Sequence, residues 1–289
     1  MVARRHLPAG PLRCLRRLLL RIRAMSAPIL IENYGHVRII GLNRPEKKNA
    51  LNETLAWGIV RAIEQAADDD DVWVIGITGS GDSFCAGLDL SDRGESATPL
   101  GPVSQALDDV HWVGRFLLGM RDWCDKPVVA GINGVAVGAG LGLAMSADIR
   151  MMSRGGRLMA GYTRIGGSPD GGLTWTLPLA MGYEAAMRFM LENRTVDADE
   201  ALRLGMVGEV CDEAEFGDRF TAYLQQLASW SPFSIRMTKR GMHRAVRAID
   251  LEAQMRLELA NISRCFATED AKEARRAFFE KRAPEFKGH

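Results

Sequence analysis

Ala130-Gly131-Ile132-Asn133-Gly134-Val135-Ala136-Val137-Gly138-Ala139-Gly140 is the stretch on which the reading of this chain turns. It follows an apolar run, Pro127–Ala130, and precedes a segment, Leu141–Ala147, that can be helical. A buried strand, a glycine-rich turn and a helix start leave backbone N–H groups unpaired at the turn, where the helix dipole also favours negative charge. Small residues let a ligand oxygen come close to that backbone. The segment therefore suits an anion, and by itself leaves phosphate and a developing enolate equally open. Its spacing is neither GxGxxG nor GxxxxGK[ST], so nucleotide binding loses its usual support.

A second junction has the same form. Val72–Gly79 is an apolar, β-branched run closed by glycine, and it leads into Gly81-Asp82-Ser83-Phe84-Cys85-Ala86-Gly87-Leu88-Asp89-Leu90. Two such strand-to-loop junctions can each aim one N–H at a single oxygen. Together with Asn43-Arg44-Pro45-Glu46-Lys47-Lys48-Asn49-Ala50-Leu51 and the tail Ala277–Gly288, the pattern resembles the crotonase (enoyl-CoA hydratase/isomerase) superfamily from about Ile29 to the C-terminus. The resemblance implies an α/β fold, a spiral of ββα repeats over residues 26–212, with a helical region at 213–289 that assembles trimers or hexamers. Periodicity alone leaves that spiral and a doubly wound sheet undivided.

Composition sets outer limits. A chain of 289 residues, 47% hydrophobic and 25% charged, can bury a full core as one large domain. A formal charge of +1 supplies no general basic field, so nucleic acid is not a favoured partner. Cys14, Cys85, Cys124, Cys211 and Cys265 are scattered and lack CxxC spacing. That pattern fits reduced thiols inside a cell, with Cys85 a small buried hydrophobe. Residues 1–25 stand apart: arginines at 4, 5, 13, 16, 17, 21 and 23 occur with no acidic residue before Glu32. Three readings stand for them: a transit peptide, a basic amphipathic helix, or an upstream start codon with Met25 beginning the protein. The apolar run there is too short and too interrupted to span a bilayer. The expected location is the cytoplasm, or the mitochondrial matrix if the extension is a transit peptide.

Local patterns give a coarse map. Ile29–Glu32 and His36–Leu42 predict a hairpin around Tyr34-Gly35. Asn52 predicts the cap of a helix over Glu53–Ala67, where Leu55, Ile59, Ala62, Ile63 and Ala66 recur at helical spacing, and Asp68–Asp71 ends it in solvent. Strand Val72–Thr78 follows. Strand–strand–helix then recurs: Pro127–Ile132 with helix Ala139–Ala147, and Ile149–Met152 and Arg157–Ala160 with helix Thr174–Ala180. Ser91–Pro102 predicts a mobile loop. Helices are expected over Glu213–Ser229, Ser234–Ala248, Asp250–Phe266 and Thr268–Arg282.

Carried over residue by residue, the resemblance puts its two oxyanion donors on the backbone N–H groups of Leu88 and Ala139. Ala86, Gly87, Gly138 and Gly140 then flank the substrate. A thioester oxygen held there gains negative charge when a neighbouring C–H is deprotonated, and donors aimed at that charge stabilise the transition state. The family's hydratases carry two glutamates, whose positions fall on Gly142 and Tyr162; neither residue is a carboxylate. A different carboxylate is present in Gly166-Gly167-Ser168-Pro169-Asp170-Gly171-Gly172. That segment looks like the phenylacetate-pathway and dienoyl-CoA isomerases, which imply a catalytic aspartate at 170, with Gly142, Tyr162 and Pro169 against the acyl group. An aspartate before a helix can equally be an N-cap, and both readings stand.

The resemblance further implies coenzyme A contacts near Lys47 and Lys48, with Phe278 and Lys281 approaching the adenine and phosphates from an adjacent subunit. Coenzyme A belongs to the substrate, so no separately bound cofactor is expected. Asp82 and Asp89 read as surface or capping groups, and Asp148 as structural. His36, His111 and His243 lack partners at ligand spacing, so no metal site is expected. The expected activity is an enoyl-CoA double-bond shift with Asp170 as single base. Hydration through Asp170 and water, displacement like that of aryl-CoA dehalogenases, and non-catalytic acyl-CoA binding are the alternatives.

Overall fold

The computed structural model describes residues 27–91, 97–247 and 250–289; the basic extension at 1–25 and part of the Ser91–Pro102 loop lie outside the described residues. Ile29–Tyr34 (β1) and Val37–Leu42 (β2) form the expected antiparallel hairpin, closed by Gly35 in the left-handed region. Asn52 caps Glu53–Asp68 (α1) by accepting from the Leu55 N–H, and the apolar face of this helix is buried. Its acidic end is only partly in solvent, because Arg38 reaches Asp69 at 2.7 Å. Val74–Gly79 (β3) starts later than its pattern predicts, since Val72 is tied to the Asp69 carbonyl and Trp73 stacks on His36.

Short strands then alternate with long ones. Ser83–Cys85 (β4) precedes Pro102–Ala106 (α2) and His111–Leu118 (α3), which runs into a π-turn at Gly119–Trp123. Val128–Ile132 (β5), Val135–Val137 (β6) and Ala139–Ser146 (α4) make one ββα turn. Ile149–Ser153 (β7), Arg157–Met159 (β8) and Leu173–Met181 (α5) make the next. Tyr183–Glu192 (α6), Thr195–Asp197 (β9), Ala198–Arg203 (α7) and Glu209–Cys211 (β10) complete the core. After the β1–β2 hairpin, which lies wholly in a six-stranded sheet, β1-β2-β3-β5-β7-β10, each ββα turn gives its first strand to that sheet and its second to a four-stranded sheet, β4-β6-β8-β9. From β2 to β10 the larger sheet is parallel. This is the spiral of ββα repeats, not a doubly wound sheet.

Strand alternation divides the core in two. Val37, Ile39, Val74 and Val129 face Phe216, Phe220 and Leu224 of Glu213–Leu227 (α8), whereas Ile40, Leu42, Ile75 and Ile77 face α1 and α4. Gly131 admits the Phe220 ring: a Cβ there would lie 2.8 Å from it. Burying such a side chain contributes about 1.5–3 kcal/mol, so the larger sheet is clamped from both faces and its strand ends are held still.

Three more helices close the chain: Pro232–Ala245 (α9), Leu251–Phe266 (α10) and Glu269–Glu280 (α11). Helix α9 is pinned to the core by Arg236 on Asp125 at 2.7 Å and by Lys239 donating to the Met120 and Lys126 carbonyls. The tail folds back on buried Asp270, which accepts from the Lys287 and Gly288 N–H groups. Leu251, Leu259, Phe266, Phe278 and Phe279 remain exposed along α10 and α11.

Candidate active site

The glycine-rich turn is built as its sequence predicts. Gly138 has φ 54° and ψ −122°, a conformation that side chains rarely adopt, and donates to the Met159 carbonyl at 3.1 Å. Ala139 follows as the first residue of α4, with no side-chain cap in front of it. All eight residues of this helix are buried, so its leading amides have no bulk water to turn to. Gly140 is required by packing: a Cβ there would lie 2.7 Å from the Cys85 sulfur. Burial pushes the Cys85 thiol up to about 12, consistent with a packing role.

The second turn meets the first through backbone. Leu51 donates to the Gly87 carbonyl at 2.7 Å and accepts from the Asp89 N–H at 2.9 Å. This parallel bridge uses the groups on either side of Leu88 and turns the Leu88 N–H the other way. Gly87 has φ 91°, and a Cβ on it would lie 2.6 Å from the Val137 oxygen and 3.8 Å from the Ala139 nitrogen. Among the described residues, neither the Leu88 nor the Ala139 N–H donates to a protein acceptor. Two uncommitted donors thus stand on adjoining turns.

Buried Asn49 holds this pair together. It takes the left-handed conformation (φ 55°), donates to the Ser80 and Ser83 carbonyls at 2.9 and 2.8 Å, and accepts from the Arg44 N–H. Arg44 adds a contact to Asp89 at 3.1 Å. The Ser91 hydroxyl, followed by that guanidinium, holds the Asp89 carboxyl at about 2, so Asp89 is a latch and not a proton donor. Lys48 pairs with Asp82 at 2.5 Å and Lys47 reaches Ser91 at 3.2 Å, both at the mouth of the turn; the Ala86 N–H donates to the Lys48 carbonyl.

Side chains build the other corner. Tyr162, 8% exposed, donates from Oη to Asp170 Oδ1 at 2.6 Å. Burial, followed by the adjacent carboxylate, pushes this phenol well above its ordinary range, so it stays protonated. Helix α5 starts at Leu173 with Gly172 at its cap and no side-chain cap bond. The N-cap reading of Asp170 therefore does not hold: its carboxylate is engaged by Tyr162. Gly142 faces this loop, since a Cβ there would lie 3.5 Å from the Gly171 carbonyl oxygen. Gly142, Tyr162 and Asp170, spread over 29 positions of sequence, are thus neighbours.

The roof over this corner lies outside what the sequence pattern predicts. Helix α3 lies on it: a Cβ on Gly171 would meet Val113 at 3.2 Å, and one on Gly172 would meet Leu117 at 2.2 Å. The pattern Val113–Leu117, one helical turn apart, was the available signal. Behind Tyr162 and Pro169 an apolar cavity of about 230 Å³ runs between α5 and α6, walled by Leu173, Leu177, Met187 and Met190. Phe278 and Lys281 stand at the end of α11, where Phe278 is 78% exposed and packs edge-on against Phe279. Among the described residues, no hydrogen bond, ion pair or ring contact links them to the Lys47-Lys48 turn.

The remaining candidates sit elsewhere. His36 stacks on Trp73, and His243 contacts Asp148 at 3.1 Å. Burial would raise the Asp148 carboxyl, yet His243 and Lys239 hold it below its ordinary value. His111 opens α3 with φ 54°.

Residues 32–289 match the family described as enoyl-CoA hydratase/isomerase. A short-chain-enoyl-CoA hydratase of Clostridium acetobutylicum is 31% identical over 88% of this chain and 95% of its own length. A 1,2-epoxyphenylacetyl-CoA isomerase of Escherichia coli is also 31% identical, over 87% of this chain and 95% of its own. Among solved structures, a probable enoyl-CoA hydratase/isomerase from Mycobacterium abscessus superposes with a TM-score of 0.80 at 31% identity, covering 90% of this chain and 99% of that one.

Proposed function

The chain belongs to the enoyl-CoA hydratase/isomerase family, and on that premise we propose that it shifts a double bond in an enoyl-CoA thioester with Asp170 as its single base. The thioester oxygen lies between the Leu88 and Ala139 N–H groups, flanked by Ala86, Gly87, Gly138 and Gly140. Starting from a 2-enoyl thioester, Asp170 takes a proton from the γ carbon and the electrons pass through the conjugated system to the oxygen. The two amides hold the resulting dienolate; each such donor is worth about 3 kcal/mol. Asp170 then returns the proton to the α carbon. Run in reverse, the same steps bring a 3-enoyl double bond into conjugation.

The observation that carries this reading is the Tyr162–Asp170 hydrogen bond of 2.6 Å beside Gly142. It supports a site with one oriented carboxylate, whereas the hydratase pattern needs two. A 1,3-proton shift needs one base, whereas adding water needs a group to activate it and another to protonate carbon. The acyl group extends along Tyr162 and Pro169 toward the apolar cavity. Lys47 and Lys48 lie toward the coenzyme A arm, with Phe278 and Lys281 supplied by a neighbouring copy in a homotrimer or hexamer.

The test is incubation with 3-enoyl-CoA and 2-enoyl-CoA in water. Absorbance of the conjugated thioester growing from the 3-enoyl substrate, with no 3-hydroxyacyl product, is the expected result. Accumulation of 3-hydroxyacyl-CoA would replace isomerisation by hydration, with the Tyr162–Asp170 pair holding the water. Tight binding with no conversion across aliphatic and aromatic acyl groups would make the chain an acyl-CoA-binding protein.

A further inference from the structure

Helix α4 is poorly equipped to hold its own position. It has eight residues, Ala-Gly-Leu-Gly-Leu-Ala-Met-Ser, with no side-chain cap, no acidic residue in its first turn and no basic residue in its last. Two internal glycines weaken it, and a helix this short does not stand alone. At about 1.5 Å per residue it spans only about 12 Å, so whatever fixes its far end also fixes Ala139.

That far end is held by two arginines from outside the ββα turn, chiefly by Arg121. Arg121 Nε donates to the Ser146 carbonyl at 3.1 Å, and Arg121 Nη2 donates to the Met145 and Ala147 carbonyls at 3.1 and 3.3 Å. These are carbonyls that a helix C-terminus leaves without partners, and here they are buried with the helix. Arg150 assists only at Ala147, at 2.9 Å. Burial pulls Arg121 below its ordinary value, yet a guanidinium keeps its charge there. Arg121 is itself fixed from the C-terminal helices, since His243 of α9 contacts its carbonyl at 2.6 Å through Nδ1 and Asp148 through Nε2.

We propose that Arg121 is a positioning residue of the oxyanion hole: by gathering the carbonyls at the C-terminal end of α4, it sets the place and the electrostatic balance of the Ala139 amide at the other end. A cation at the C-terminal end offsets the negative pole of the dipole, so the positive pole at Ala139 acts on the thioester oxygen with less opposition. The inference rests on the oxyanion reading of the proposed function. It adds that the helical C-terminal region reaches the reacting oxygen through Arg121.

The experiment reads the infrared stretch of a thioester carbonyl, ¹³C-labelled in a bound enoyl-CoA, alongside kcat and KM. In the unaltered protein the band lies below its position in water. Arg121→Met is expected to move it back toward that position and to lower kcat about tenfold, with KM within about twofold. Arg121→Lys, which keeps a donor and a charge, restores part of both. Should Arg121→Met not fold, His243→Asn keeps the guanidinium but releases its anchor, and a smaller return of the band is expected. A displaced band that stays unchanged in all folded variants overturns the positioning role. A band in the unaltered protein that matches the free ester overturns the oxyanion reading instead.

Discussion

The two halves of the candidate site are made of different material. The Leu88–Ala139 half is backbone, shaped by Gly87, Gly138 and Gly140 and latched by buried Asn49. The Gly142–Tyr162–Asp170 half is side chain, roofed by Val113 and Leu117. A backbone amide survives nearly every substitution at its own position, whereas a carboxylate disappears with one. The first half can therefore stay constant while the second is rewritten, and in the proposed reaction the second decides which proton moves. Relatives at the same 31% identity carry hydratase and isomerase names, as expected if the reaction is set by that smaller, replaceable corner.

The largest effect falls on the replaceable half. Asp170→Asn keeps an acceptor for the Tyr162 hydroxyl but cannot take a proton. Its kcat is expected to drop about 10³-fold, in the middle of the range for a general base, while equilibrium binding of an acyl-CoA is retained. Full turnover in this variant would leave the corner without its base and remove the contrast between the halves.

The backbone half is attacked by removing an N–H. Ala139→Pro does this where proline is tolerated, at the first position of a helix. The loss of one donor is expected to lower kcat by about 10²–10³-fold, with helix content by circular dichroism unchanged. Gly87→Ala should act on both turns at once, because its Cβ would lie 2.6 Å from the Val137 oxygen at φ 91°. A destabilisation of about 1–3 kcal/mol is expected in thermal or urea unfolding. A neutral result would mean that the turns are looser than their contact distances require.

What could be read in the sequence follows the same division. Glycines at 87, 138 and 140, long β-branched runs and the Asn52 cap are local signals, so β3, β5, β7, α1 and the two glycine turns were legible, whereas the choice of Leu88 and Ala139 as donors came from the family resemblance. The strands β4, β6, β9 and β10 have three residues each, too few for a period to register. The roof of α3 and the Arg121 contacts join positions 24 or more residues apart, where a local pattern carries no information. Asp170 had two readings, a base implied by the family resemblance and a cap implied by its place before a helix. The tertiary bond from Tyr162, with Gly172 occupying the cap, removes the cap reading and leaves the base as the proposal.

The smallest effect should come from Tyr162→Phe, and it tests where the boundary between the halves runs. Phenylalanine keeps the wall of the apolar cavity and removes only the donor to Asp170 Oδ1. A hydrogen bond to a charged acceptor is worth about 1.5–3 kcal/mol when shielded. Asp170 is exposed, so about 1 kcal/mol, or roughly fivefold in kcat, is the expected loss. KM should hold. Because burial and Asp170 both raise the phenol's pKa, the hydroxyl stays protonated through mildly alkaline solution. The unaltered enzyme's pH–rate profile should then show no tyrosine limb up to about pH 10. A loss in Tyr162→Phe as deep as that in Asp170→Asn, together with such a limb, would make the phenol a proton carrier in its own right. The corner would then hold two acid–base groups, one to activate water and one to protonate carbon, as hydration requires.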